Sequence, residues 1–210
     1  RNSPTSAPSA RRRLLGKFML AALGSIPWVG GFLSTMASFR AEAGDVRADD
    51  MRTQWLAEHQ RKLNALTETL NEVGERFETL GQTIDARIES EEYLALVRRA
   101  FRTWDDADTA EKRTSVANLI ANAAGTTVSS DDVVRLFIDW LHLYHEAHFA
   151  VVRAIHREPG ATRFDVWIEI HGQVPREDSA EADLFRLLIR DLSTGGLIRQ
   201  SRETTVDGRF

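Results

Sequence analysis

Large apolar residues recur every seven positions at Leu56, Leu63, Leu70, Phe77 and Ile84, with Leu66, Val73 and Leu80 at the second core position of each repeat. Residues seven apart return to the same side of an α-helix, so this spacing specifies a rod with one apolar edge. It predicts a long helix from about Val46 to about Ile88. The flanking positions hold Thr67, Thr69, Gly74, Gly81 and Thr83, not the opposed charges that select a partner in a two-stranded coiled coil. Packing against helices of the same chain is therefore expected at least as readily as a free-standing dimer.

Capping residues punctuate the rest. Ser90 caps a helix carrying Tyr93, Leu94, Val97, Phe101 and Trp104, and Asp108 with Glu111 makes a capping-box pattern before a helix that Gly125 stops. Ser129 or Ser130 starts a longer helix through Val133, Leu136, Phe137, Trp140, Leu141, Tyr144 and Phe149, ending before Pro159-Gly160. Thr162 opens a short helix closed by Gly172, Asp178 and Glu181 form a capping box before DLFRLLIRDL, and the Gly195-Gly196 turn precedes a strand-like Leu197–Gln200.

The N-terminal end differs in character. Residues 1–10 are small and polar, a flexible lead-in, and residues 18–39 contain no charged side chain. Gly24, Pro27, Gly30 and Gly31 interrupt that stretch, so two short apolar helices joined through SIPWVGG are expected. Three readings stay open: a hairpin buried in protein, a hairpin entering a membrane surface with Arg11, Arg12 and Arg13 at the headgroups, or a leader. Beginning at Arg1 and ending at Phe210 without a stop signal, the chain reads as a piece of a longer protein.

The order helix, helix, helix, glycine turn, strand resembles a winged-helix module of the MarR type. The resemblance rests on AHFAVVRAIHREPG, DLFRLLIRDL and GGLIRQ and covers about residues 140–210. It implies a recognition helix near 179–192 and makes DNA a partner to consider. More broadly, GSIPWVGGFLS, ESEEYLALVRRAF, SSDDVVRLFIDWLHLYHEAHFAV and PREDSAEADLFRLLIRDLSTGGLIRQ are similar to an uncharacterised bacterial helical family; that likeness implies a bacterial source and no activity.

Chemistry is sparsely signalled. No P-loop, GxSxG or GxGxxG pattern occurs, and the absence of cysteine removes disulfides, thiolate metal sites and a thiol nucleophile while suiting the cytoplasm. His142, His145, Glu146 and His148 are weak metal candidates, because on a continuous helix their spacing fans around the axis and misses the zinc-protease register. Asp49-Asp50, Asp105-Asp106 and Asp131-Asp132 fall at helix starts or linkers, where carboxylates complement the helix dipole. A net charge of −4 gives no general pull towards nucleic acid, and Glu177, Asp178, Glu181 and Asp183 crowd the recognition-helix start, against only Arg176, Arg186, Arg190, Arg199 and Arg202.

The expected architecture is mainly α. A flexible 1–10 precedes an apolar hairpin at 11–45, a helical bundle at 46–128 with the long coiled-coil-like helix, and a winged-helix-like module at 129–210. The expected role is non-enzymatic, regulatory or scaffold-like docking without a cofactor, through a protein partner or self-association. Ile26, Pro27, Trp28, Val29 and Phe32 are one candidate contact surface, and Arg186, Arg190, Arg199 and Arg202 the other. A membrane effector acting through residues 11–39 and a winged-helix DNA regulator are the alternatives.

Overall fold

The computed structural model describes residues 7–41, 50–125, 130–174, 176 and 178–201, and every element among them is helical. Two compact units result, Arg1–Leu143 and Tyr144–Phe210, so the division falls later than the expected 128/129 boundary. The N-terminal hairpin belongs to the first unit.

Unit 1 contains α1 (Ala7–Gly24), α2 (Pro27–Ala41), α3 (Asp50–Leu80), a 3₁₀ turn (Gly81–Ile84), α4 (Asp85–Glu89), α5 (Glu91–Asp106), α6 (Ala110–Gly125) and α7 (Asp131–Leu143). Helix α5 is central and packs on α1, α4, α6 and α7. Its sequence explains the position: Tyr93, Leu94, Leu96, Val97, Ala100, Phe101 and Trp104 are buried, and Ser90 caps the helix by accepting from the Tyr93 amide. Two indoles tie neighbours to this helix and its end. Trp104 donates Nε1–H to Thr69 Oγ1 of α3 at 3.1 Å, and Trp28 of α2 donates Nε1–H to Asp105 at 2.6 Å.

The long helix is present but shorter than its heptads suggest. Among described residues it runs from Asp50 to Leu80, where Gly81 at φ +75° turns the chain into the 3₁₀ segment; that left-handed backbone suits glycine. Leu66, Leu70, Val73 and Phe77 are buried, Leu56 and Leu63 are half-buried, and Leu80 is exposed. The seam packs mainly on α6 of the same chain. Val46 lies outside the described residues.

Other boundaries shift for local reasons. Helix α2 starts at Pro27, whose fixed φ suits a first helical position, so the hairpin turn is only Ser25-Ile26. Thr109 caps α6 through the Lys112 amide, one residue later than expected; Asp108 instead pairs with Lys112. Ser130 caps α7 through Val133, while Ser129 lies outside the described residues.

Unit 2 packs α8 (Glu146–Arg157) against α9 (Arg163–His171) and α10 (Ala180–Thr194). Thr162 and Asp165 form a reciprocal capping box at α9, and Ser179, not Asp178, caps α10. The expected strand at Leu197–Gln200 is absent. Gly196 at φ +75° donates to Ser193 and Leu197 donates back to Leu192, a Schellman-type closure of α10, and Leu197–Gln200 pair with no strand among the described residues. A second wing strand lies outside the described residues.

Candidate docking surface

The single long helix expected from Ser130 to Pro159 is two helices. Tyr144-His145 interrupts it, with His145 extended at φ −92° and ψ 170° as the residue before α8. Its amide donates to His148 Nδ1 at 3.2 Å. That bond needs an unprotonated Nδ1, which places the ring proton on Nε2, a buried atom with no hydrogen-bond partner and 3.9 Å from Asp191. Burial lowers the His148 pKa despite the opposing effect of Asp191.

The break also separates the metal candidates. His142 lies in the last turn of α7, exposed and 3.9 Å from Asp106, whereas Glu146 and His148 belong to α8. No group of three or more His, Asp or Glu side chains suited to a metal forms among the described residues.

The expected contact residues of the hairpin are mostly internal. Ile26, Val29 and Phe32 are buried, Trp28 is half-buried and held by Asp105, and only Pro27 is exposed. Burial within unit 1 thus takes up Ile26, Val29 and Phe32, three of the five candidates. No single described helix is long and apolar enough to cross a membrane; residues 12–24 and 27–38 meet that test only as a pair bent by 94°.

In unit 2, Arg186 lies 2.5 Å from Asp183 and Arg190 3.9 Å from Asp191. Arg199 lines a cavity of about 300 Å³ with Arg163, which bonds Gln200. Arg202 lies outside the described residues. The outward side of α10 carries Leu184 and Leu187, 53% and 40% exposed.

The most distinctive surface is on α7, where the only site residue singled out from the sequence was His142, as a weak metal candidate. At about 3.6 residues per turn its thirteen residues fall into three sectors. Val134, Ile138 and Leu141 face the core of unit 1. Asp131, Asp132, Arg135, Asp139 and His142 form a charged sector, with Asp131 bonded to Arg87, Asp139 to Arg99 at 2.5 Å, and Asp132 to Arg135 at 2.6 Å. The third sector, about 120° wide, is wholly apolar: Val133, Leu136, Phe137, Trp140 and Leu143.

That sector faces outward. Val133 is 37% exposed, Leu136 44%, Phe137 37% and Leu143 63%, with Trp140 half-buried and its ring 5.3 Å from that of Phe137. These fractions amount to ~400 Å² of apolar surface, within the range of the largest patch on a soluble monomer, which is often functional. By contrast, α5 exposes Glu91, Glu92, Arg99 and Arg102 and turns its large apolar residues inward.

Comparison with known proteins yields no matching family model, curated protein or solved structure.

Proposed function

We propose that this protein is a non-enzymatic docking component, regulatory or scaffold-like, whose principal contact surface is the outward stripe of α7. The observation that carries the reading is the uninterrupted apolar sector from Val133 to Leu143 on a helix whose core needs are already met by Val134, Ile138 and Leu141. A second apolar face on an outer helix lowers solubility unless another surface covers it. Its two adjoining rings, Phe137 and Trp140, are of the residue types that dominate interface energetics.

Unit 2 fits the same role as a winged-helix-like module turned to protein contact. The order of α8, α9 and α10 supports that likeness, and the outward side of α10 favours protein over duplex DNA. Leu184 and Leu187 stand where a DNA-reading helix presents hydrogen-bonding side chains, and Arg186 is drawn to Asp183.

In-cell cross-linking of the tagged chain tests the docking role, with wild type beside the double variant Phe137→Glu, Trp140→Glu. The expected result is at least one cross-linked species heavier than the single chain, present with wild type and lost with the variant. Identical species from both would refute the assignment of docking to α7.

A further inference from the structure

We infer that unit 2 carries a binding site for a small organic anion, a carboxylate on an aliphatic body, in the cavity enclosed by α8, the start of α9, α10 and the segment that follows α10. The site is separate from the α7 stripe and stands or falls independently of it.

Charge sets this cavity apart. Of its lining residues only Arg163 and Arg199 are charged, and no carboxylate lines it among the described residues, in a chain whose net charge is −4. Every other described arginine of unit 2 has a carboxylate at 2.5 to 3.9 Å: Glu146 beside Arg153, Glu169 beside Arg157, Asp178 beside Arg176, Asp183 beside Arg186 and Asp191 beside Arg190. Arg163 and Arg199 pair with none among the described residues. Arg163 donates instead to Gln200 Oε1, a neutral amide oxygen that orients the guanidinium and leaves its charge uncompensated.

The acidic side chains nearby are engaged elsewhere. Asp165 closes the cap of α9, accepting from the Thr162 amide at 2.8 Å and from the Thr162 hydroxyl at 2.6 Å. The neighbouring cleft, which shares Ala161 and Val166, has the opposite sign: Glu158, Asp165 and Glu169 line it against the single cation of Arg157. Two guanidiniums facing one cavity without a counter-charge favour an anion, and a carboxylate matches the planar fork of arginine.

The apolar lining selects the body of the ligand. Val166 and Ile189 are buried, and Ile155 and Ile198 half-buried, so four branched aliphatic residues lie beside the two cations. Neither an inorganic ion nor a phosphodiester gains from covering them, whereas each methylene of an alkyl chain does. No aromatic side chain lines the cavity, so a flat base finds no ring to stack on. A volume of about 300 Å³ is at the small end of ligand sites and suits a chain of roughly six to eight carbons.

Octanoate is the probe, with octylammonium as its counterpart of reversed charge and inorganic phosphate as an anion without an apolar body. Labelled isoleucine δ-methyl groups of the full chain report by NMR: Ile155, Ile189 and Ile198 line the cavity, while Ile26, Ile84, Ile88, Ile120 and Ile138 belong to unit 1. Octanoate should shift the three cavity methyls saturably, with half-saturation on the order of 1 mM, and leave the unit 1 methyls in place. Octylammonium and phosphate should act about tenfold more weakly or not at all, and Arg199→Gln should weaken octanoate by about tenfold or more, through loss of a charge-assisted contact.

An equal response to octanoate and octylammonium overturns the inference, because the lining would then act through its apolar part alone. Phosphate matching octanoate overturns it too, as does the lack of a saturable shift up to ~20 mM octanoate. Should a short DNA duplex move the cavity methyls where octanoate does not, the two arginines are a nucleic-acid contact and the small-anion site is refuted. All of these comparisons use the wild-type chain and are independent of how Arg199→Gln folds.

Discussion

Replacing Phe18 by alanine asks whether the N-terminal hairpin is seated in protein. Phe18 is fully buried, its ring edge-on to Phe77 of α3 at 5.2 Å and to Phe101 of α5 at 6.0 Å. Truncation removes an aromatic side chain from the point where three helices meet and leaves a cavity that helices anchored elsewhere close only partly. Such changes cost ~3–5 kcal/mol, against a total stability of ~5–15 kcal/mol for a typical domain. Leu20, two residues on, is 74% exposed, so Leu20→Ala should change stability by at most ~0.5 kcal/mol. With a guanidinium slope of ~3–5 kcal/mol/M, Phe18→Ala lowers the unfolding midpoint by about 1 M while Leu20→Ala leaves it in place. Tryptophan fluorescence is the assay, since Trp28, Trp55, Trp104 and Trp140 all lie in unit 1. Equal midpoints for the two variants would refute the packing of α1 against α3 and α5, and with it the case for a hairpin buried in protein.

Two expectations concern unit 2. A Cβ at Gly195 would stand 1.8 Å from the Tyr144 hydroxyl and 3.2 Å from the Asp191 carbonyl that this hydroxyl bonds, so Gly195→Ala should destabilise unit 2 by ~1–3 kcal/mol, read from the Trp167 signal on thermal unfolding. Because burial lowers the His148 pKa, the unfolded chain takes up a proton that the folded chain resists; the stability difference is fully present above the ordinary imidazole pKa near 6.5 and is lost as pH falls below it. Thermal midpoints of unit 2 from about pH 8 to about pH 5 should fall on the acid side in wild type and fall less in His148→Gln, whose amide can still accept from the His145 amide; parallel curves would remove His148 as the cause.

The helical class and most helix starts and stops were legible in the residues themselves. Ser90, Thr162 and Gly172 act locally, through one amide or one backbone turn, so they keep their meaning before any packing is known. The break at Tyr144-His145 was not legible. Apolar residues continue at helical spacing across it without proline or glycine, and the bond from the His145 amide to His148 forms only once the chain has turned.

The sequence by itself determined that residues 56–84 would carry an apolar edge and that α7 would be rich in large apolar side chains. Only tertiary structure decided how much of each would be covered. Helix α6, with sixteen residues and about 24 Å of length, cannot shield a thirty-one-residue α3 of about 46 Å, so Leu66, Leu70, Val73 and Phe77 are buried while Leu56 is only half-covered. On α7 eight of thirteen residues are apolar, too many for periodicity to name one inner face. The neighbours α5 and α6 took Val134, Ile138 and Leu141, and the stripe from Val133 to Leu143 is what they left to solvent.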